Sequence, residues 1–392
     1  MSDPLVIGLV AGESSGDTLG AALVAALRAR VGEVRAFGIA GPKMRAAGCE
    51  VWADSQALAV MGLIEPLAHL PRLFALRRRL VREFAAARPQ VFVGIDAPAF
   101  NIGLEARLRR RGVPTVQYVS PQVWAWRQGR VRGIAAACDL VLCLFPFETE
   151  FYGRHGVRAR FVGHPLADQV PLITDRAAAR RALGLAPEGT LIALLPGSRL
   201  GEVQRLGRDF LEAASWLKAR RPDLRFIAPM ASPRVREVFA GQLTQVAPGL
   251  DLQLIEGQAQ PALIAADAAL VASGTATLEA LLVRRPMVAA YRFSTLTAFL
   301  LRTLGLVKVR HFSQPNLLTG QALVPEFVQE AVQGEALGEA LLRQLDDTAG
   351  RQRLEAEFLK VHQQLRVGAA DRAAQAILEL VAERGGRRAP AP

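Results

Sequence analysis

The residues most able to do chemistry sit in loops that follow apolar runs. In L-I-A-L-L-P-G-S-R-L-G-E-V, residues 191–203, five apolar residues lead into Pro196-Gly197-Ser198-Arg199 and then into an amphipathic segment, Glu202 to Lys218. A loop that opens a helix offers backbone N–H groups and the positive end of the helix dipole to an anion. Arg199, with Ser198 beside it, adds a forked, permanently charged donor that suits a diphosphate. No GxxxxGK[ST] pattern is present, and an ordinary turn with a surface arginine would use the same residues. A second loop, V-A-S-G-T-A-T-L-E (271–279), has the same form. Ser273, Gly274 and Thr275 allow a ligand close to the backbone. Glu279, about one helical turn further on, is placed to accept hydrogen bonds from sugar hydroxyls. A helix cap by Ser273 or Thr275 is the plainer use of the same residues, and a cap site can also hold a ligand. Both loops fall in one half of the chain, which reads as the holder of a nucleoside diphosphate.

Two more loops lie in the other half. In V-G-I-D-A-P-A-F-N (93–101), Asp96 ends a very apolar strand. A carboxylate there is partly desolvated, which raises its pKa and improves it as a base. On the residues alone, a cap on the following helix is the better-supported role. In A-G-E-S-S-G-D (11–17), the glycines and serines of a first βα turn suit a phosphate or a sugar, or simply an N-cap by Ser14 or Ser15 with Asp17 in the first turn. The turn lacks GxGxxG, so a dinucleotide is not supported. Trp124 and Trp126 fit packing better than a sugar platform. Asn316, beside Pro315, fits either a turn or an amide facing a cleft.

The elements that position these loops follow from periodicity. Apolar strand-like runs at 5–11, 34–39, 91–95, 115–119, 140–144 and 159–162 alternate with amphipathic helical stretches such as 17–31, 72–88 and 102–111. The alternation restarts after Gly163-His164-Pro165, with strands at 191–195, 225–229, 252–255, 268–271 and 287–291. This predicts an α/β protein of two Rossmann-like, doubly wound domains facing a cleft, with ligands at the carboxyl ends of the strands. The expected domains are 1–168 and 169–345, joined near 166–186. Residues 346–392 are expected to add C-terminal helices packing across the domains and a basic tail, and the pattern from Pro325 to Glu383 reads as helical throughout.

Composition narrows the class. The chain has 392 residues, 51% hydrophobic and 21% charged, enough for two large cores. The net charge of +12 is carried mostly by arginine and favours an anionic partner, although a general bias toward arginine would contribute. A nucleic-acid partner is not expected: aromatic content is 6% and no RNA motif is present. Cys49, Cys138 and Cys143 fit no zinc or CxxC spacing and read as reduced, buried thiols. The five histidines form no HxxH or HExxH pair, so neither a metal nor any other cofactor is expected. No apolar run reaches the roughly 18 residues of a membrane span, and Met1-Ser2-Asp3-Pro4 lacks the basic region of a signal peptide. The expectation is a cytoplasmic protein.

A mean hydropathy of +0.20 is nevertheless high. Residues 62–80 mix Leu63, Leu67, Leu70 and Phe74 at helical spacing with Arg72, Arg77 and Arg78, the makeup of a segment resting on anionic lipid. Pro66 and Pro71 argue against one continuous helix there. The mix recurs at 297–310. A core-facing helix with a solvated basic back would explain either segment alone; the pair favours a membrane-facing patch.

Read together, VAGESSGD (10–17), GIAGPKMRAAGCE (38–50), VFVGIDAPAFNI (91–102), YVSPQVWAWRQGRV (118–131), FVGHPLAD (161–168), LLPGSR (194–199), ASGTATLE (272–279) and PNLLTG (315–320) resemble the lipid-A-disaccharide synthases. The resemblance runs in order over nearly the whole chain. It implies a metal-independent, inverting glycosyltransferase of the two-Rossmann-domain GT-B type. The implied substrates are UDP-2,3-diacylglucosamine as donor and 2,3-diacylglucosamine 1-phosphate (lipid X) as acceptor, joined by a β-1,6 linkage with release of UDP. The implied location is peripheral, on the inner face of the cytoplasmic membrane. The family's essential aspartate falls on Asp96, which reverses the capping reading and makes it the base. The resemblance puts Arg199 on the leaving diphosphate and Glu279 on the ribose. Gly274 and Thr275 would lie near the phosphates, and Glu13, Ser15 and Asn316 in the cleft with unassigned roles. Many members have a second acid where this chain has Ala99, so that acid has no counterpart here.

Two other functions fit the same two-domain pattern: a UDP-sugar epimerase, and a membrane-associated nucleotide-sugar-binding protein without catalysis. The epimerase would need a donor site but have little use for the apolar-basic patches. The binder would keep its function without Asp96. Dimerisation through the C-terminal helices is compatible with the sequence, though no motif argues for it.

Overall fold

The computed structural model describes residues 4–55, 58, 66–125, 128–293 and 310–385, and of 66–70 the backbone alone. The chain divides into two compact units, residues 1–168 with 365–392, and residues 169–364. The separate C-terminal piece expected from residue 346 is thus shared. The helix Thr348–Leu365 lies almost wholly in the second unit and the helix Ala369–Gly385 in the first.

The first unit is a seven-stranded parallel sheet: β1 (Leu5–Ala11), β2 (Val34–Ala40), β3 (Glu50–Asp54), β4 (Val91–Ile95), β5 (Thr115–Tyr118), β6 (Leu140–Cys143) and β7 (Ala159–Phe161), in the order β3-β2-β1-β4-β5-β6-β7. Strands such as V-F-V-G-I are buried on both faces, which is why they read as unbroken apolar runs. One face is covered by the helices Ser14–Val31 and Ala369–Gly385, which share a core of Leu23, Val24 and Leu27 with Ala373, Ile377 and Leu380. The other is covered by the helices Pro66–Ala87 and Pro98–Arg109, through Leu80, Val81, Phe84, Phe100, Leu104 and Leu108. The helix Pro66–Ala87 runs through Pro71, contrary to the expected break. An interior proline costs about 3 kcal/mol; here it falls in the second turn, and burial of Leu80, Val81 and Phe84 further along offsets it. Strand β3 escapes the sequence pattern because it is a half-exposed edge with no strong apolar run.

The second unit is a six-stranded parallel sheet: β8 (Leu191–Leu195), β9 (Arg225–Met230), β10 (Leu252–Glu256), β11 (Ala268–Ala272), β12 (Met287–Tyr291) and β13 (Glu326–Val328), in the order β10-β9-β8-β11-β12-β13. The edge strand β13 corrects the all-helical reading after Pro325; three half-buried residues are too short to show a period. The helices Leu200–Arg220 and Gly334–Asp346 pack their apolar stripes on this sheet through Leu206, Phe210, Leu217, Leu337 and Leu341.

Candidate active site

In a doubly wound sheet the ligand crevice opens where strand order reverses, outside the carboxyl ends of the two central strands. In the first unit that point lies between the parallel neighbours β1 and β4. It is flanked by the loops bearing Glu13 and Asp96. They touch: a Cβ on Gly12 would come 2.4 Å from the Ala97 Cβ, so only glycine lets them pass. Glu13 is the N-cap residue of the helix Ser14–Val31 and, with Ser14 and Ser15, is exposed. None of these side chains caps the helix. Asp17 is buried instead, and its carboxylate accepts hydrogen bonds from the backbone N–H groups of Gly41, Lys43 and Met44, which caps the helix Pro42–Ala46 from a neighbouring element.

Asp96 is not the N-cap of the helix Pro98–Arg109 either: that residue is Ala97, which makes no side-chain cap hydrogen bond. Both residues have left-handed backbones, φ 53° at Asp96 and 41° at Ala97. For non-glycine residues such geometry costs on the order of 1–3 kcal/mol each and clusters at functional positions. Burial raises the Asp96 carboxyl above its ordinary pKa, opposed in part by the Ala97 N–H. Its backbone is held on both sides: the N–H donates to the Tyr118 carbonyl at 2.8 Å, and its carbonyl accepts from Asn101 Nδ2 at 2.8 Å and Gln117 Nε2 at 3.1 Å. One turn beyond Asn101, Glu105 is fully buried, accepts from Cys138 Sγ at 3.1 Å, and has its pKa pushed up by desolvation to about 8. Sequence reasoning gave Asn101, Glu105 and Gln117 no role. The available signal was a polar residue on the apolar face of a short helix, at Asn101 and again four residues later.

In the second unit strand order reverses between β8 and β11, and the Ser198-Arg199 and Ser273-Gly274-Thr275 loops follow these two strands. Here the structure changes one expectation. Two of the N–H groups that were to meet an anion, those of Ser198 and Arg199, are accepted by Glu202 Oε2 at 3.0 and 3.3 Å. An acid at the third helical position reaching back to the N-cap is a strong local motif. The cation facing solvent there is the Arg199 guanidinium, 77% exposed and paired with Glu202 at 3.9 Å. Gly274 has φ 153° and open space where a Cβ would stand, so a ligand can approach its backbone; Thr275 is exposed beside it. Ser273 is committed elsewhere, its Oγ donating to the Phe312 carbonyl at 2.7 Å. Glu279 is half-buried, and burial alone raises its pKa. Asn316 does not face an opening. It is buried, donating to the Val324 carbonyl and accepting from the Val324 N–H, both at 2.9 Å, so it clamps its own turn.

Of the membrane-facing set, Arg72 and Arg78 are exposed and Phe74 is 49% exposed. Arg77 turns inward: its guanidinium lies 4.9 Å from the Phe100 ring centre and donates to the Ala99 carbonyl at 3.1 Å. Leu63, the side chains of Leu67 and Leu70, and all of 297–309 lie outside the described residues, as does Trp126. Trp124 packs edge-on against Phe147 and donates to buried Glu148, in keeping with the packing reading. All three cysteines are free and buried. Among the described residues no helix is long and apolar enough to cross a membrane, and no group of three or more His, Cys, Asp or Glu side chains could hold a metal.

The family model described as lipid-A-disaccharide synthetase matches residues 7–380. The lipid-A-disaccharide synthase of Sodalis glossinidius is 53% identical over 378 residues, covering 96% of this chain and 98% of that protein. Those of Alkalilimnicola ehrlichii and Pseudomonas aeruginosa are 53% and 52% identical, covering 95% and 98% of this chain and 97% and 100% of the relatives. This chain belongs to the lipid-A-disaccharide synthetase family. Solved structures of similar fold include the calicheamicin glycosyltransferase CalG4, with a TM-score of 0.61 at 15% identity over 97% of this chain and 99% of that one. A UDP-GlcNAc 2-epimerase from Neisseria meningitidis bound to UDP-GlcNAc reaches 0.63 at 12% identity over 96% and 100%. At such identities these likenesses carry the two-domain GT-B fold alone. The epimerase reading is therefore not favoured against a family match at half identity, and the chain is a glycosyltransferase of lipid A biosynthesis.

Proposed function

We propose that the chain transfers 2,3-diacylglucosamine from its UDP conjugate to the 6-hydroxyl of 2,3-diacylglucosamine 1-phosphate, with Asp96 as the base. The Asp96 carboxylate takes the hydroxyl proton as that oxygen attacks the anomeric carbon from the side opposite the diphosphate. The bond from the anomeric carbon to the diphosphate oxygen breaks, and its electron pair leaves with UDP. The configuration inverts, giving the β-1,6 disaccharide 1-phosphate. Arg199 offsets the charge developing on the leaving diphosphate, the task a metal would otherwise perform. Gly274 and Thr275 lie near the phosphates, and Glu279 accepts from the ribose hydroxyls. The observation that carries the reading is the desolvated Asp96 carboxyl at the switch point of the first sheet, in a chain of this family. The enzyme works at the inner face of the cytoplasmic membrane, and exposed Arg72, Phe74 and Arg78 support a peripheral seat on anionic lipid.

The test is a discontinuous assay with both acyl sugars and labelled acceptor, in EDTA, comparing the wild-type chain with Asp96→Ala. Disaccharide from the wild type alone supports the base and the metal-independent transfer together. A variant that still turns over removes Asp96 from the mechanism. A folded wild type that binds UDP but forms no disaccharide favours the non-catalytic binder.

A further inference from the structure

The residues that hold Asp96 form a device of their own. Asn101 comes from the helix that follows Asp96, Gln117 from the neighbouring strand β5, and both are fully buried. Their amide groups converge on one atom, the Asp96 carbonyl oxygen, at 2.8 and 3.1 Å. Each also reaches the carbonyls that end the neighbouring strands. Asn101 Nδ2 lies 3.3 Å from the Val10 oxygen and 3.5 Å from that of Ile95; Gln117 Nε2 lies 3.2 Å from the Val119 oxygen. The ends of β1, β4 and β5 are thereby tied where the chain bends through two left-handed residues. The tie leaves Asn101 Oδ1 and Gln117 Oε1 buried with no hydrogen-bond partner among the described residues. Buried oxygens of this kind destabilise a fold, so packing alone does not explain them. Gly94 is part of the same arrangement: an added Cβ would come 2.8 Å from Asn101 Cβ and 3.0 Å from its Cγ.

We propose that Asn101 and Gln117 are positioning residues for the proton transfer, locking the Asp96 backbone in its left-handed turn so that the carboxyl stays desolvated and aimed out of the switch point. The proposal rests on Asp96 being the base. Without the lock the Asp96–Ala97 turn relaxes toward ordinary backbone geometry, and the carboxyl swings and hydrates. Misplacement of a reacting group by about 1 Å costs on the order of a hundredfold in rate.

The experiment measures kcat, KM and the pH profile for Asn101→Ala, Gln117→Met and Asp96→Asn, with a thermal melt of each. Gln117→Met keeps the shape of the side chain while removing the donor, and carries the test if Asn101→Ala melts too low to study. The expected result is a loss of about 10- to 100-fold in kcat with KM for both substrates little changed. The acidic limb of the profile should move toward the ordinary aspartate value as Asp96 gains water. A kcat that falls only in step with the folded fraction, with the limb unmoved, means the amides merely support the fold and overturns the proposal. Wild-type kcat and limb in both amide variants, with Asp96→Asn inactive, overturns the positioning role alone. Full turnover by Asp96→Asn overturns the base reading and the lock with it.

Discussion

The two switch points serve different chemistry by opposite means. At the first, a half-buried carboxyl ends an apolar strand, its backbone bent through two left-handed residues and tied by buried amides. At the second, a largely exposed arginine pairs at 3.9 Å with the glutamate that ties its own loop. A base must stay ionised, at a raised pKa, and hold one position to remove one proton, which calls for rigidity and a dry wall. A diphosphate is multiply charged and strongly hydrated, and an exposed forked cation meets it without a prior desolvation cost. Under the proposed mechanism, the loop tied by buried amides handles the proton and the loop with the exposed arginine meets the phosphate.

The largest effect expected from breaking this contrast is at Asp96. Asp96→Asn should lower kcat by about 10²- to 10⁴-fold and leave the Kd for UDP within a factor of about two; calorimetry that finds UDP binding lost would merge the two regions. The same carboxyl predicts a sign. Its pKa is raised in the folded state, so the ionised form is disfavoured there, and stability present at low pH is lost as pH rises through the folded value. Asp96→Asn should then melt higher than the wild type at pH 7 and show no such gain below the ordinary aspartate pKa. The acidic limb of kcat/KM should lie above that ordinary value, and a limb at or below it would refute the desolvated base.

Next in size is Arg199→Ala, expected to weaken UDP by about 10- to 100-fold, the worth of a charge-assisted hydrogen bond, without moving the acidic limb. A moved limb would show that the two loops titrate as one site. An effect on stability rather than binding isolates the helix that carries Asn101. Glu105, with a pKa near 8 in the fold against an ordinary 4.5, is neutral over most of that interval while the unfolded chain is ionised. The wild type should therefore lose melting temperature relative to Glu105→Gln between about pH 5 and 8 and no more above it. A pH-independent difference would mean that Glu105 is ionised in the fold. The smallest effect on turnover is at the surface. Replacing Arg72 and Arg78 with Glu and Phe74 with Ser should weaken partitioning onto anionic vesicles by about 30-fold, at about 1 kcal/mol per basic residue, with kcat on dispersed substrates unchanged. Equal sedimentation would remove the lipid-facing role from that helix.

Much of this was legible before any coordinates. The strands at 5–11, 91–95, 191–195 and 287–291 were read with their observed bounds, because a strand buried on both faces must be apolar along its length. Edge strands have one wet face and few residues, so β3 and β13 left no such run. Pro71 misled because its cost is local while the burial that offsets it lies three turns away. Asn316 misled for a related reason: a polar side chain in a loop has the same letter whether it meets a ligand or a carbonyl eight residues on.

Composition, spacing and order of the loops were enough to specify two parallel α/β units and the four loops at the ends of their strands, and the motifs in those loops carried the resemblance to the family. These depend on local periodicity and on residue types that are adjacent in the chain. Only the tertiary structure decided which polar groups are spent on the fold. Asp17 is used up on a neighbouring helix, Glu202 on the amides of its own loop, and Arg77 on Phe100 and Ala99. Asn101 and Gln117, distant in sequence, meet on the Asp96 carbonyl. Hydrogen bonds and desolvation act over a few ångströms in space, and which groups come that close is settled by how the strands pair and the helices pack.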